Sequence, residues 1–195
     1  MEGPNLNVCK DPVYLRQACE RFPLVLSKIV RLRLILAQGL LDDPELDRLK
    51  IVYLVRDPRA TYNSRIGVSE WCGKSKECMD PAMMCNDIQT DLDAMEMLSA
   101  SYPGRLALIK YETLAQNPQK TFEDIFKFAE MPMLPSVTEE IRKHTSHVEG
   151  NVWATYRKSA DRINMWKTQL SRENITYIQN YCSNVLMRLG YSFVN

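Results

Sequence analysis

Ile51-Val52-Tyr53-Leu54-Val55 is an apolar run without alternation, and Arg56-Asp57-Pro58 follows it with no spacer. A short stretch that is apolar at every position belongs to a strand covered on both faces, as in parallel sheets. Asp57 can cap a helix, and Pro58 suits the first helical position because its missing N–H would be unsatisfied there anyway. The pattern therefore predicts a buried strand that turns straight into a helix. That unit builds layered α/β folds and leaves few other architectures open.

The rest of the chain repeats the alternation. Val25 to Leu34, VLSKIVRLRL, reads as a strand opening into a short helix that ends near Gly39. Met84, Ile88, Leu92, Met95 and Leu98 follow helical spacing and predict a helix from about Pro81 to Ser101. Leu106-Ala107-Leu108-Ile109 is a second short apolar strand. Asn117-Pro118 opens a helix with Phe122, Ile125, Phe126 and Ala129 on one face. The last helix starts at Ser171, turns Ile175, Ile178, Cys182, Val185 and Leu189 inward, and stops at Gly190. Strands separated by helices predict an α/β fold with a mainly parallel sheet. With 195 residues, 45% of them hydrophobic, residues 1–195 are read as a single domain with a real core.

In such sheets ligands bind beyond the carboxyl ends of the strands. Arg56 is the first residue past the apolar run, and the helix from Pro58 aims its free N–H groups at the same place. Ser64 lies two turns into that helix, with Arg65 beside it. An arginine fork and a hydroxyl suit a phosphate oxyanion. The alternative is a surface arginine paired with Asp57 or Glu112, and a serine filling a helix turn. The net charge is +1, so no global basic field argues for nucleic acid, and any anion site is local.

Six cysteines, Cys9, Cys19, Cys72, Cys78, Cys85 and Cys182, contain no Cys-x-x-Cys pair. Only His144 and His147 could join them as ligands, so no metal is expected. Both histidines are read as solvent-facing or capping residues, and Trp153 and Trp166 as packing. The even cysteine count fits disulfides in an oxidising compartment. The expected pairs are Cys9–Cys19 and Cys72 or Cys78 with Cys85, leaving Cys182 as a free core thiol. The sequon Asn174-Ile175-Thr176 agrees with a luminal setting. No apolar run approaches the roughly 20 residues of a membrane helix, and MEGPNLNVCKDP does not read as a signal peptide. A luminal protein would then lack its own targeting segment in this sequence.

LVRDPRATYNSR, Leu54 to Arg65, resembles the 3′-phosphate-binding segment of the Golgi carbohydrate sulfotransferases, which use 3′-phosphoadenylyl sulfate (PAPS) as donor. Other stretches resemble that family in the right order: SKIVRLRL, LLDDPELDRLKIVYLVRDPRA, IKYETLAQNP, TYRKSADRINMWKTQL and YCSNVLMRLGY. The resemblance implies a P-loop NTPase-like three-layer fold. It also implies that Arg56 and Ser64, with Arg65, hold the donor's 3′-phosphate, and that Arg157 and Lys158 add charge near the donor phosphates. A glycan acceptor, a glycosaminoglycan or glycoprotein sugar sulfated at a 6-hydroxyl, is implied with it. So are a Golgi-lumen location behind a type II membrane anchor and compatibility with a homo-oligomer.

One feature of the family has no counterpart here. Its Gly/Ser-rich loop for the 5′-phosphosulfate is missing, because Gly3 and Gly39 are the only glycines before Arg56. The first strand and the expected catalytic base, which lie near that loop, are missing with it. The reading is the carboxyl-terminal part of a sulfotransferase domain; the alternative is a truncated, non-catalytic binding or regulatory fragment. A small nucleotide-kinase relative shares the fold but would need the Gly-x-x-x-x-Gly-Lys-Ser/Thr loop, which is absent. Losing a central strand is expected to leave the strand at Ile51 to Val55 with an unpaired edge.

Overall fold

The computed structural model describes residues 10–68, 72, 75–146 and 158–194. The chain divides into two units, residues 1–32 and residues 33–195. In the first unit, α1 (Pro12–Cys19) is capped by Asp11, whose side chain accepts from the amides of Val13 and Tyr14. Residues 24–29 have no regular structure, and Leu24, Val25 and Leu26 are exposed. The strand expected from Val25 is therefore not formed. The described residues of this unit offer no second strand, and a lone strand leaves its backbone groups unpaired.

The second unit opens with helical turns at Leu34–Ala37 and Gln38–Leu41. Its sheet has two strands, β1 (Ile51–Val55) and β2 (Leu106–Lys110), paired parallel from Ile51↔Leu106 to Val55↔Lys110. Between them run α2 (Pro58–Ile66) and the 21-residue α3 (Pro81–Ser101), capped by Asp80. After β2 come α4 (Tyr111–Gln116), α5 (Pro118–Phe128), α6 (Pro135–Ser146), α7 (Arg172–Tyr181) and α8 (Ser183–Arg188). The α/β reading with a parallel sheet holds. The helix expected to open at Asn117-Pro118 is α5; α4, which precedes it, was not expected.

The core has two parts joined by Tyr53. In one, Met95 and Leu98 of α3 pack with Leu34, Ala37 and Leu41 beneath Ile51 and Leu106. In the other, Val55 and Ala60 meet Leu92, Trp166, Ile178 and Leu186. Asp91 on α3 ties the parts together: it accepts from the Leu34 amide at 2.9 Å, and the Tyr53 hydroxyl lies 3.4 Å away. Burial first, and the neighbouring Asp91 carboxylate second, push the Tyr53 phenol well above its ordinary range.

Two expectations are corrected here. The strand was read as covered on both faces, yet Val52 is 41% and Leu54 52% exposed. Side chains alternate along a strand, and α3 covers only the face of Ile51, Tyr53 and Val55. On the other face Ile125 and Phe128 of α5 flank an open cavity of about 360 Å³ beside Val52 and Ile109. The cysteine pairing also differs. Cys72 bonds to Cys78, and Cys85 bonds to Cys182, so Cys182 is not a free thiol. Its inward position was read correctly, although it falls at the break between α7 and α8 where one last helix was expected; Cys85 of α3 faces the same core, and both are fully buried. Cys19 is exposed and free, so the Cys9–Cys19 bridge is not formed; Cys9 lies outside the described residues.

Candidate functional site

In-register parallel pairing brings the two strand ends level. Val55 faces Lys110, so the next residues, Arg56 and Tyr111, emerge side by side. The Arg56 guanidinium stacks 4.3 Å from the centre of the Tyr111 ring. Its Nη2 donates to the Arg162 carbonyl at 3.3 Å. Its Nε–H is buried with no acceptor among the described residues. Among those residues Arg56 has no ion pair, so the surface salt bridge with Asp57 or Glu112 is not what it makes.

Both of those carboxylates are engaged elsewhere. Asp57 caps α2 through the Arg59 amide and receives the Arg59 guanidinium at 3.0 and 2.8 Å. Arg59 is only 2% exposed. Its Nη1 donates to Gln179 Oε1 and the Ser192 carbonyl, at 2.8 and 2.9 Å, and its guanidinium lies 4.2 Å over Trp166. Of the two arginines in Arg-Asp-Pro-Arg, the second is thus a buried cross-link and the first is presented. Glu112 accepts from the Asp57 amide at 3.0 Å and from the Tyr191 hydroxyl at 2.5 Å.

Ser64 is exposed on the second turn of α2. Arg65, one residue on, is half-buried and donates to the Cys78 carbonyl at 2.9 Å; desolvation lowers its pKa. Lys158 is exposed and begins the turn Ser159–Arg162 whose last carbonyl meets Arg56. Arg157, His147 and Trp153 lie outside the described residues. Trp166 is buried beneath Arg59, and His144 sits 3.8 Å from Glu140 on exposed α6 surface. Among the described residues no cluster of His, Cys, Asp or Glu could hold a metal ion.

Residues 26–190 match the sulfotransferase domain. The chain belongs to that family. Carbohydrate sulfotransferase 1 of Mus musculus is 29% identical over 92% of this chain and 47% of its own length. Carbohydrate sulfotransferase 3 of Mus musculus is 28% identical over 90% of this chain and 40% of its own length. The chain therefore spans less than half of these relatives and matches their carboxyl-terminal portion. A solved sulfotransferase domain from the curacin biosynthetic pathway superposes with a TM-score of 0.66 at 17% identity, over 93% of this chain and 68% of that one. This likeness carries the sulfotransferase fold alone.

Four residues around this candidate site were given no role in it by the sequence. Tyr111 had a usable signal: it follows β2 as Arg56 follows β1, and parallel strands in register set such residues together. Arg59 and the Glu112–Tyr191 pair had none, because their partners lie 79 to 133 residues away.

Proposed function

We propose that this chain is the donor-anchoring part of a carbohydrate sulfotransferase, with residues 1–195 forming part of one such domain. The donor is PAPS, which supplies the sulfonyl group for transfer to a sugar hydroxyl, a 6-hydroxyl by the family resemblance. The observation that carries the reading is Arg56: stacked on Tyr111 at the end of a parallel strand, it has a buried Nε–H with no acceptor among the described residues. A 3′-phosphate is such an acceptor, and a charge-assisted contact to it is among the stronger hydrogen bonds. Ser64 adds a hydroxyl, Arg65 and Lys158 add charge, and the α2 N-terminus adds the positive end of its dipole.

In the transfer the sugar oxygen attacks sulfur, the bond from sulfur to the bridging phosphate oxygen breaks, and the 3′,5′-bisphosphate leaves. The proton goes to a base that no residue here is assigned. Arg56 and Ser64 orient the donor, which counts because alignment of the reacting atoms lowers the barrier. A glycan acceptor and a Golgi-lumen location accompany this reading. The buried Cys85–Cys182 bridge supports an oxidising compartment. Calorimetric titration with adenosine 3′,5′-bisphosphate tests the anchor, and loss of binding in Arg56→Ala is the expected result.

A further inference from the structure

The C-terminal segment is fastened under the two strand ends. Gly190, at φ 68°, ends α8 in a left-handed turn, with the Tyr191 amide donating back to the Leu186 carbonyl at 2.8 Å. That turn swings Tyr191 onto Glu112. Lys110 Nζ holds the Leu189 carbonyl at 2.8 Å, Arg59 holds the Ser192 carbonyl, and Gln179 bonds both polar backbone groups of Val194 at 2.9 Å. Among the described residues the segment reaches the Arg56–Asp57 peptide through Glu112. Glu112 receives the Tyr191 hydroxyl on one oxygen and the Asp57 amide on the other, and the Asp57 amide belongs to the peptide unit that carries the Arg56 carbonyl.

We infer that Glu112 is a positioning residue: held by Tyr191, its carboxylate fixes the Arg56–Asp57 peptide and so aims the Arg56 guanidinium at the donor's phosphate. The inference rests on the donor-site reading above. Its logic is one of sign. A carboxylate near an anion site repels the anion, so a Glu112 that did nothing else would weaken donor binding, and its removal would tighten it. A Glu112 that positions Arg56 does the reverse. Burial, and then the hydrogen bond to Glu112, push the Tyr191 phenol far above its ordinary range, so it stays a donor at neutral pH.

The test is a set of calorimetric titrations of the whole chain with adenosine 3′,5′-bisphosphate, with thermal unfolding followed in parallel. Glu112→Ala is expected to weaken binding about tenfold, the size of one charged hydrogen bond. Tyr191→Phe, which frees the carboxylate without removing it, is expected to weaken binding about threefold. Glu112→Gln keeps an acceptor for the Asp57 amide and should restore binding to within about twofold of the parent. Thermal midpoints separate this from a purely structural role, in which midpoints fall and the affinity of the folded protein does not change. Unchanged or tighter binding in both Glu112→Ala and Tyr191→Phe overturns the inference. If Glu112→Ala does not fold, Tyr191→Phe decides alone. Arg56→Ala in the same series separates the two claims. If it binds as the parent does, or if the parent does not bind, the donor-site reading fails and takes the inference with it. If it loses binding while the Glu112 and Tyr191 variants do not, only the positioning role fails.

Discussion

Cys85 of α3 and Cys182 between α7 and α8 are joined in the middle of the core, with their α-carbons 5.2 Å apart across 97 residues of chain. The bond closes a loop that includes β2, α4, α5, α6 and α7, so it removes much conformational freedom from the unfolded chain. Cutting it by the double substitution Cys85→Ala/Cys182→Ala is expected to cost about 3–5 kcal/mol. Urea unfolding with and without reductant measures this, and the reductant should have little further effect on the double variant beyond that from Cys72–Cys78. The latter closes only six residues and is expected to contribute less.

Arg59→Ala removes one partner of a buried ion pair, leaving the Asp57 carboxylate without its cation and the Ser192 carbonyl without this donor. The expected loss is about 3–5 kcal/mol. Arg59→Lys should recover little, because an ammonium cannot reach Asp57 through two parallel bonds while also lying on Trp166. Thermal unfolding of both variants against Arg56→Ala is the check. Arg56 has no ion pair among the described residues, so its removal should leave the unfolding midpoint nearly unchanged.

For donor binding the order reverses. Arg56→Ala is expected to cost about 1.5–3 kcal/mol of affinity for adenosine 3′,5′-bisphosphate, and Ser64→Ala about 1 kcal/mol. Calorimetry at low and high salt checks both. The Arg56 contribution should shrink as salt screens the partly exposed site.

Two partly buried phenols set an alkaline limit on stability. Tyr53 and Tyr191 have pKa values raised in the folded state, mainly by burial and then by Asp91 and Glu112. A phenol of the unfolded chain ionises near pH 10, before the folded one does. The stability these groups contribute is therefore complete below about pH 10 and is lost as pH rises through the folded values. Urea midpoints measured from pH 8 to 11 should fall more steeply in the parent than in Tyr53→Phe or Tyr191→Phe.

Local chemistry was the legible part of this chain. Asp57-Pro58 and Ser171 marked helix starts because capping depends on nearby residues alone. Arg56 was found because its place after an apolar run fixes which end of the sheet it leaves. Partners far apart in sequence were not legible. Nothing near Cys85 shows that α7 ends against it, and nothing near Arg59 shows that the C-terminus crosses above it. The segment from Val25 misled for a related reason: its composition suits a strand, but a strand forms only where another edge is available to it. The same gap hid the one-sided cover of β1, since an apolar run specifies what a strand prefers to touch and not whether a neighbour is present.

That one-sided cover gives the last prediction. Val52 and Leu54 project from the poorly covered face of a two-stranded sheet. A short sheet with an exposed apolar face is a template for association with other chains. The 195-residue chain expressed alone is therefore expected to self-associate. Leu54→Lys places a charge on that face without disturbing Tyr53 or Val55, which point the other way. It should shift size-exclusion profiles toward monomer while changing stability by no more than about 0.5 kcal/mol, as for an exposed position. Tyr53→Lys, a substitution on the covered face of the same strand, should instead unfold the protein, because it buries a charge beside the core. If the parent chain runs as a monodisperse monomer, or if Leu54→Lys associates as the parent does, the exposed face is not the site of association.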